Sequence, residues 1–269
     1  MSRQYLMCRP TYFAVEYAIN PWMNPDAPVD LGRAIAQWDG LVETHRRLGH
    51  TVELIEPVPG LPDMVFAANG GTVIDGVALG VAFTHTERAD EGPAYMKWFA
   101  GNGFRVQAPK AINEGEGDML LTAGHILAGT GFRTATAAHD EAQELFGRPV
   151  ITLNLVDPRF YHLDTALTVL HRDADDPRPQ VAYLPQAFSD GSRRVLERLF
   201  PNAIRVGIED AVVLGLNAVS DGANVVLPMQ ALGYAAQLAE AGFRPVPVDL
   251  SELLRGGGGP KCCTLELRR

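Results

Sequence analysis

Residues 31–55 read LGRAIAQWDGLVETHRRLGHTVELI, an amphipathic helix over 31–48, a glycine break at Gly49 and a short β-rich strand over 51–55. The same phrase returns four more times. A helix over 92–100 leads to a strand over 104–107, one over 137–146 to 150–155, one over 191–200 to 203–207, and one over 230–241 to 244–248. The strands start about 40 to 55 residues apart, the signature of one supersecondary unit repeated rather than of separate domains. Further strand signals fall between the units, over 71–83 with an Asp75-Gly76 hairpin turn and over 161–170.

The chain is therefore expected to be α/β, with 1–269 forming a single domain of five units, each made of strands plus one helix. Arranged radially, such units close into a ring with helices outside and strand ends converging on a central cleft, because closure removes sheet edges. The alternative is an open, doubly wound sheet.

With 269 residues, 46% hydrophobic and 20% charged, the chain can bury a full core and has the make-up of a soluble globular protein. A formal net charge of −9 and the lack of any Lys or Arg cluster argue against nucleic acid and against anionic membranes as partners, and favour the approach of a small cationic molecule. Cys8, Cys262 and Cys263 cannot make a disulfide framework, so a reducing, cytoplasmic setting is expected. The first ten residues lack a signal-like apolar run, and no stretch is long enough to span a bilayer. No ligand spacing typical of a metal site and no glycine-rich phosphate loop before a helix are found, so neither a metal nor a nucleotide cofactor is expected.

Chemistry is suggested at the C-terminal end. Gly256 to Gly259 run through Pro260 and Lys261 into Cys262 and Cys263, a flexible tract that presents a thiol to a cleft. His162 and Asp164 lie in the 161–170 strand, where alternation places them on one face, as an acid–base pair or a satisfied core pair. Four further segments carry polar groups in apolar or glycine-rich surroundings: Glu114-Gly115-Glu116-Gly117-Asp118, Asn69 ahead of Gly70-Gly71, Asn20 before Pro21, and Arg133 after Gly131-Phe132. Each could equally be a turn or a surface pair.

Taken together, the Asn20, Asn69, 131–133, 160–165 and 261–265 segments resemble the guanidine-modifying superfamily of arginine deiminases, amidinotransferases and dimethylarginine dimethylaminohydrolases, and most of all its arginine dihydrolase branch. The likeness runs from residue 7 onward. It implies a five-bladed αβ propeller (pentein), with Cys262 as nucleophile, His162 as general acid and base, and Glu114 orienting the histidine. It makes Asp164 and Asp118 carboxylates for the guanidinium, and Arg133 and Asn20 a grip on the amino-acid end. Deiminases usually have Asp where this chain has Asn69; the dihydrolase branch shares the Asn.

The implied reaction is cysteine-dependent hydrolysis of arginine to ornithine, ammonia and carbon dioxide, with no metal or organic cofactor. The alternatives are conversion of methylated arginine to citrulline and an alkylamine, deimination or amidino transfer, or a non-enzymatic propeller that binds a partner. Self-association into a homo-oligomer is compatible with such an enzyme.

Overall fold

The structure, a computed structural model, describes residues 2–269. Its strands form five separate three-stranded sheets, and each sheet repeats one unit. In four of them an antiparallel hairpin is followed by a helix that crosses over to a third, parallel strand. The second blade shows the pattern: Thr72–Ile74 pairs antiparallel with Val77–Leu79, the helix Glu91–Gly101 crosses over, and Arg105–Gln107 pairs parallel with Val77–Leu79. The third blade repeats it with Met119–Leu121, Ile126–Thr130 and Val150–Asn154, around the helix Thr136–Phe146. The fourth uses Leu167–Val169, Val181–Tyr183 and Ile204–Arg205, and the fifth Val219–Ser220, Asn224–Pro228 and Arg244–Val248.

The first blade differs in one way. Gln4–Cys8 pairs parallel with Thr51–Ile55 across the helix Leu31–Arg47, but its antiparallel neighbour is Leu265–Glu266 from the far end of the chain. The ring is thus closed by its last strand, as the radial arrangement requires and an open sheet would not.

Local chemistry explains the repeat. The hairpin of the second blade turns through Asp75 and Gly76 at φ 50° and 74°, the paired left-handed conformation that tight hairpins need. The first crossover helix begins where the Asp30 side chain accepts from Arg33 N at 3.0 Å. It buries Ala34, Trp38 and Leu41 against its blade. The crossover helices lie within two residues of their expected bounds, and the strands at Thr51–Ile55 and Arg244–Val248 match them. No helix among the described residues is long and apolar enough to cross a membrane.

Two expectations are corrected. Residues 161–170 do not form one strand: His162 is extended, Leu163–Ala166 make a helical turn, and the strand begins at Leu167. The turn is fixed by Asp118 Oδ1, which accepts from Leu163 N at 3.0 Å, and by Thr165 Oγ1, which donates to His162 O at 2.7 Å. Strand alternation therefore does not relate His162 to Asp164. The glycine tract is also not a flexible tether. Gly256 to Gly259 are buried, and a Cβ on Gly258 would sit 2.3 Å from the Phe66 ring. Gly257 adopts φ +87° with Asn20 and the Tyr161 hydroxyl within 2.8 Å of where its Cβ would stand. Glycine is needed there for close packing.

Candidate active site

Near the ring axis a small cavity, about 10 Å³, is walled by Asn20, Asp63, Asn69, Arg88, Arg133 and Cys262. Its wall is drawn from several blades and from the segments between them. The cavity holds about one water as it stands. The irregular segment between Cys8 and Leu31 supplies Asn20 to the wall.

Behind Cys262 lies a fixed polar frame. His162 Nε2 is 2.7 Å from Glu114 Oε2, and both side chains are almost wholly buried. Glu114 also accepts from Arg133 Nη1 at 3.1 Å and from Thr84 N at 3.2 Å. Burial alone would raise the Glu114 carboxyl; the hydrogen bond and charge of His162, with Arg133 and Arg88, outweigh it and hold the group well below the usual carboxylate range. An ionised carboxylate can only accept, so the proton of His162 sits on Nε2. Its Nδ1 is buried with no partner.

Two carboxylate oxygens are orphaned in the same way. Asp164 Oδ1 and Asp63 Oδ1 are buried without a partner, although Asp164 Oδ2 lies 3.5 Å from Cys262 Sγ and Asp63 Oδ2 accepts from the Tyr17 hydroxyl at 2.9 Å. Burial pushes Asp164 up to about 6, with His162 and Lys261 pulling the other way, and pushes Asp63 up against Arg88. Buried acceptors without donors are costly. A ligand that brings several N–H groups and a positive charge would repay that cost.

Cys262 is a neutral thiol in the empty site. Burial pushes it well above the ordinary value, and the charge of Asp164 adds to the effect. Deprotonation therefore waits for a cation.

The other expected residues are placed as follows. Asn69 Oδ1 accepts from Arg88 Nη1 at 2.9 Å and its Nδ2 donates to Glu114 O at 3.1 Å, which leaves one amide N–H available. Asn20 lines the cavity but spends its amide on Trp22 N, Gly256 O and the Tyr161 hydroxyl. Arg133 lies over the Tyr161 ring, 4.7 Å from its centre, and donates to Ile19 O at 2.7 Å. Asp118, like Glu114, His162 and Asp164, does not line the cavity itself. Its oxygens accept from Leu163 N at 3.0 Å and Thr134 N at 3.3 Å, so it fixes the backbone on both sides of the site rather than facing a guest.

Asp63, Arg88, Tyr17 and Asn217 belong to the site and were not singled out from sequence. Asp63 is the lone carboxylate of the apolar run Pro62-Asp63-Met64-Val65-Phe66-Ala67-Ala68 ahead of Asn69, which is the signal the sequence offers for it. Arg88 is held by a bidentate pair with Glu91, 2.8 Å on each arm, that no local pattern announces.

A buried thiol, an imidazole whose proton sits on Nε2, and unpaired carboxylate oxygens together suit attack on the carbon of a flat nitrogenous cation. Comparison with known proteins agrees. The chain is 56% identical over 266 residues to an N(G),N(G)-dimethylarginine dimethylaminohydrolase of Mycobacterium tuberculosis, covering 99% of this chain and 86% of that protein. It is 36% identical over 269 residues to the bifunctional arginine dihydrolase/ornithine cyclodeaminase ArgZ of Synechocystis, of whose length it spans 37%. The crystal structure of the ArgZ N-terminal domain, a cysteine-to-serine mutant bound to substrate, superposes with a TM-score of 0.93 at 35% identity, covering 100% of this chain and 99% of that one. A dimethylarginine dimethylaminohydrolase adduct with S-methyl-L-thiocitrulline, at 17% identity and a TM-score of 0.80, shares the fold, covering 99% of this chain and 100% of that one. No family model matches the chain. The chain belongs to the pentein superfamily of guanidine-modifying enzymes and is a hydrolase of guanidino carbon–nitrogen bonds.

Proposed function

We propose that the protein is an arginine dihydrolase, converting free arginine to ornithine, carbon dioxide and two molecules of ammonia. The observation that carries the guanidinium reading is the set of three buried orphan acceptors, Asp63 Oδ1, Asp164 Oδ1 and His162 Nδ1, with Asp63 on the same cavity as Cys262 and the other oxygen of Asp164 3.5 Å from its sulfur. Arginine's side chain offers five N–H donors in one plane and a fixed positive charge, which supplies what those atoms lack.

The bound cation offsets the cost of a buried thiolate, so when substrate enters, the thiol proton passes to the unpaired His162 Nδ1, which then holds a proton to give. The sulfur adds to the guanidino carbon, His162 delivers a proton to the departing amine, and ammonia leaves. His162 then takes a proton from a water that attacks the covalent amidine, and the sulfur departs from a citrulline-like product. In the second stage the same sulfur attacks the ureido carbon and a second ammonia leaves. Hydrolysis of the resulting thiocarbamate gives a carbamate that breaks into carbon dioxide and ornithine. Arg133 and Asn20 are assigned to the amino-acid end.

Asn69 favours the two-stage reading. The ureido group of the second stage is neutral, and an amide with one free N–H can donate to its carbonyl, where a carboxylate would repel it. Hydrolysis of methylated arginine to citrulline is the second reading, favoured by the relative of that name at 56% identity. Incubation of the purified protein with carbon-labelled arginine decides: ornithine with two ammonias supports the dihydrolase. Citrulline as the end product, or turnover of methylarginines alone, rejects it.

A further inference from the structure

Asn217 stands between the fourth and fifth blades in the apolar run Leu214-Gly215-Leu216-Asn217-Ala218, and it is fully buried. Its side chain spends every hydrogen-bonding valence within the nucleophile's loop. Oδ1 accepts from Gly259 N and from Cys262 N, both at 3.0 Å. Nδ2 donates to Asp164 O at 3.2 Å and to Cys262 Sγ at 3.1 Å. Two donors and two lone pairs exhaust the amide. The orientation is also fixed by chemistry, because only oxygen can face two backbone N–H groups, and the NH₂ must then face the sulfur.

The backbone around it is over-determined. Asn217 N donates to Leu214 O at 2.9 Å, and Lys261 N donates to Asn217 O at 3.2 Å. Leu214 is held at φ +55°, a conformation that bulky residues rarely adopt, with its side chain fully buried. Such strain persists only where the surroundings enforce it, and it collects at functional sites.

Among the described residues, Asn217 is the only side chain that donates a hydrogen bond to the Cys262 sulfur, and it opposes Asp164 Oδ2, which faces the same atom at 3.5 Å. A neutral thiol gains little from such a donor. A thiolate gains a charge-assisted bond. We propose that Asn217 is a catalytic residue, holding the Cys262 sulfur in its attacking position and stabilising it as the anion in the presence of Asp164. This rests on the reading of Cys262 as nucleophile.

The test uses the full chain with Asn217→Asp and Asn217→Ala. Asn217→Asp keeps the acceptor for Gly259 N and Cys262 N while replacing the donor to sulfur by a carboxylate. Alkylation of Cys262 by iodoacetamide is followed from neutral to alkaline pH, with the site identified by peptide mass mapping, alongside kcat and KM for arginine. The midpoint of alkylation should rise by about one pH unit or more in Asn217→Asp, a roughly tenfold loss of thiolate near neutrality. The kcat should fall about a hundredfold, with KM changed far less.

A wild-type alkylation midpoint in Asn217→Asp overturns the proposal, as does a loss of kcat equal at every pH. The uncharged variant is decisive for a rise, because a new carboxylate beside the sulfur lifts the midpoint by its own charge. Should Asn217→Ala fail to fold, Asn217→Ser takes its place. The alkylation arm needs no substrate. A midpoint raised in the uncharged variant therefore supports the assignment whichever guanidino compound is turned over, and an unshifted one sinks it even if arginine proves to be the substrate.

Discussion

Glu114 grips His162 through Nε2 at 2.7 Å and leaves Nδ1 without a partner. The carboxylate thus sets both the tautomer and the direction in which the ring can exchange a proton. Glu114→Gln keeps the size and removes the charge, and it leaves Arg133 without its carboxylate. The expected loss in kcat is about 10²- to 10³-fold. Because the Glu114 carboxyl is held well below the usual range, it stays ionised throughout the working pH range, so the acid limb of the wild-type profile should not track this residue. A Gln variant with wild-type kcat would remove Glu114 from the reaction.

Asp164 links stability to pH with a sign opposite to that of a paired carboxylate. Its folded-state value, about 6, lies above the ordinary one. Between those values the folded protein keeps a proton that the unfolded chain has released. The contribution is therefore favourable at acid pH and is lost as pH rises through about 6. Asp164→Asn should raise the stability of the empty protein at neutral pH by on the order of 2 kcal/mol while abolishing arginine turnover. Thermal melts at neutral and acid pH check this: the Asn variant's advantage should vanish in acid, and equal melting temperatures at neutral pH would contradict it.

Gly258 and Gly40 form a matched pair. A Cβ on Gly258 would sit 2.3 Å from the Phe66 ring and 3.1 Å from Cys262 Cβ, so Gly258→Ala must displace one of them. A cost of about 1–3 kcal/mol is expected, with most of the turnover lost. Gly40 lies within the helix Leu31–Arg47 with nothing near its absent Cβ. Gly40→Ala should stabilise by about 0.5–1 kcal/mol and leave kcat unchanged. Denaturant melts of the two variants read the contrast directly.

Asn69→Asp should fold, because Arg88 Nη1 already stands 2.9 Å from the oxygen that would carry the charge. The first, cationic stage should survive and the second, neutral stage should fail, so that citrulline accumulates and ornithine formation slows. Product ratios measured over time give the answer, and proportional loss of both products would defeat the two-stage reading of this residue.

Much of this was legible in the sequence, for a local reason. Each blade is contiguous in the chain, so helix, break and strand recur in one window, as residues 31–55 show, and the count of five follows. What a local pattern cannot carry is a bond made across blades. The turn at Leu163–Ala166 is set by Asp118, a residue of the preceding blade, and without that contact the same letters read as strand. The glycine-flanked position of Asp118 suits a carboxylate that faces substrate as well as one that fixes backbone, and only its contacts with Leu163 N and Thr134 N show the second use. Asp63 and Asn217 gave only a polar letter in an apolar run, and their roles depend on Tyr17, Arg88 and Cys262, each more than twenty residues distant.

The strand that seals the ring, Leu265–Glu266, follows the thiol by three residues. The segment that carries the Cys262 sulfur is thus anchored at once by the pairing of Leu265–Glu266 with Gln4–Cys8, so loosening that closing strand displaces the thiol with it.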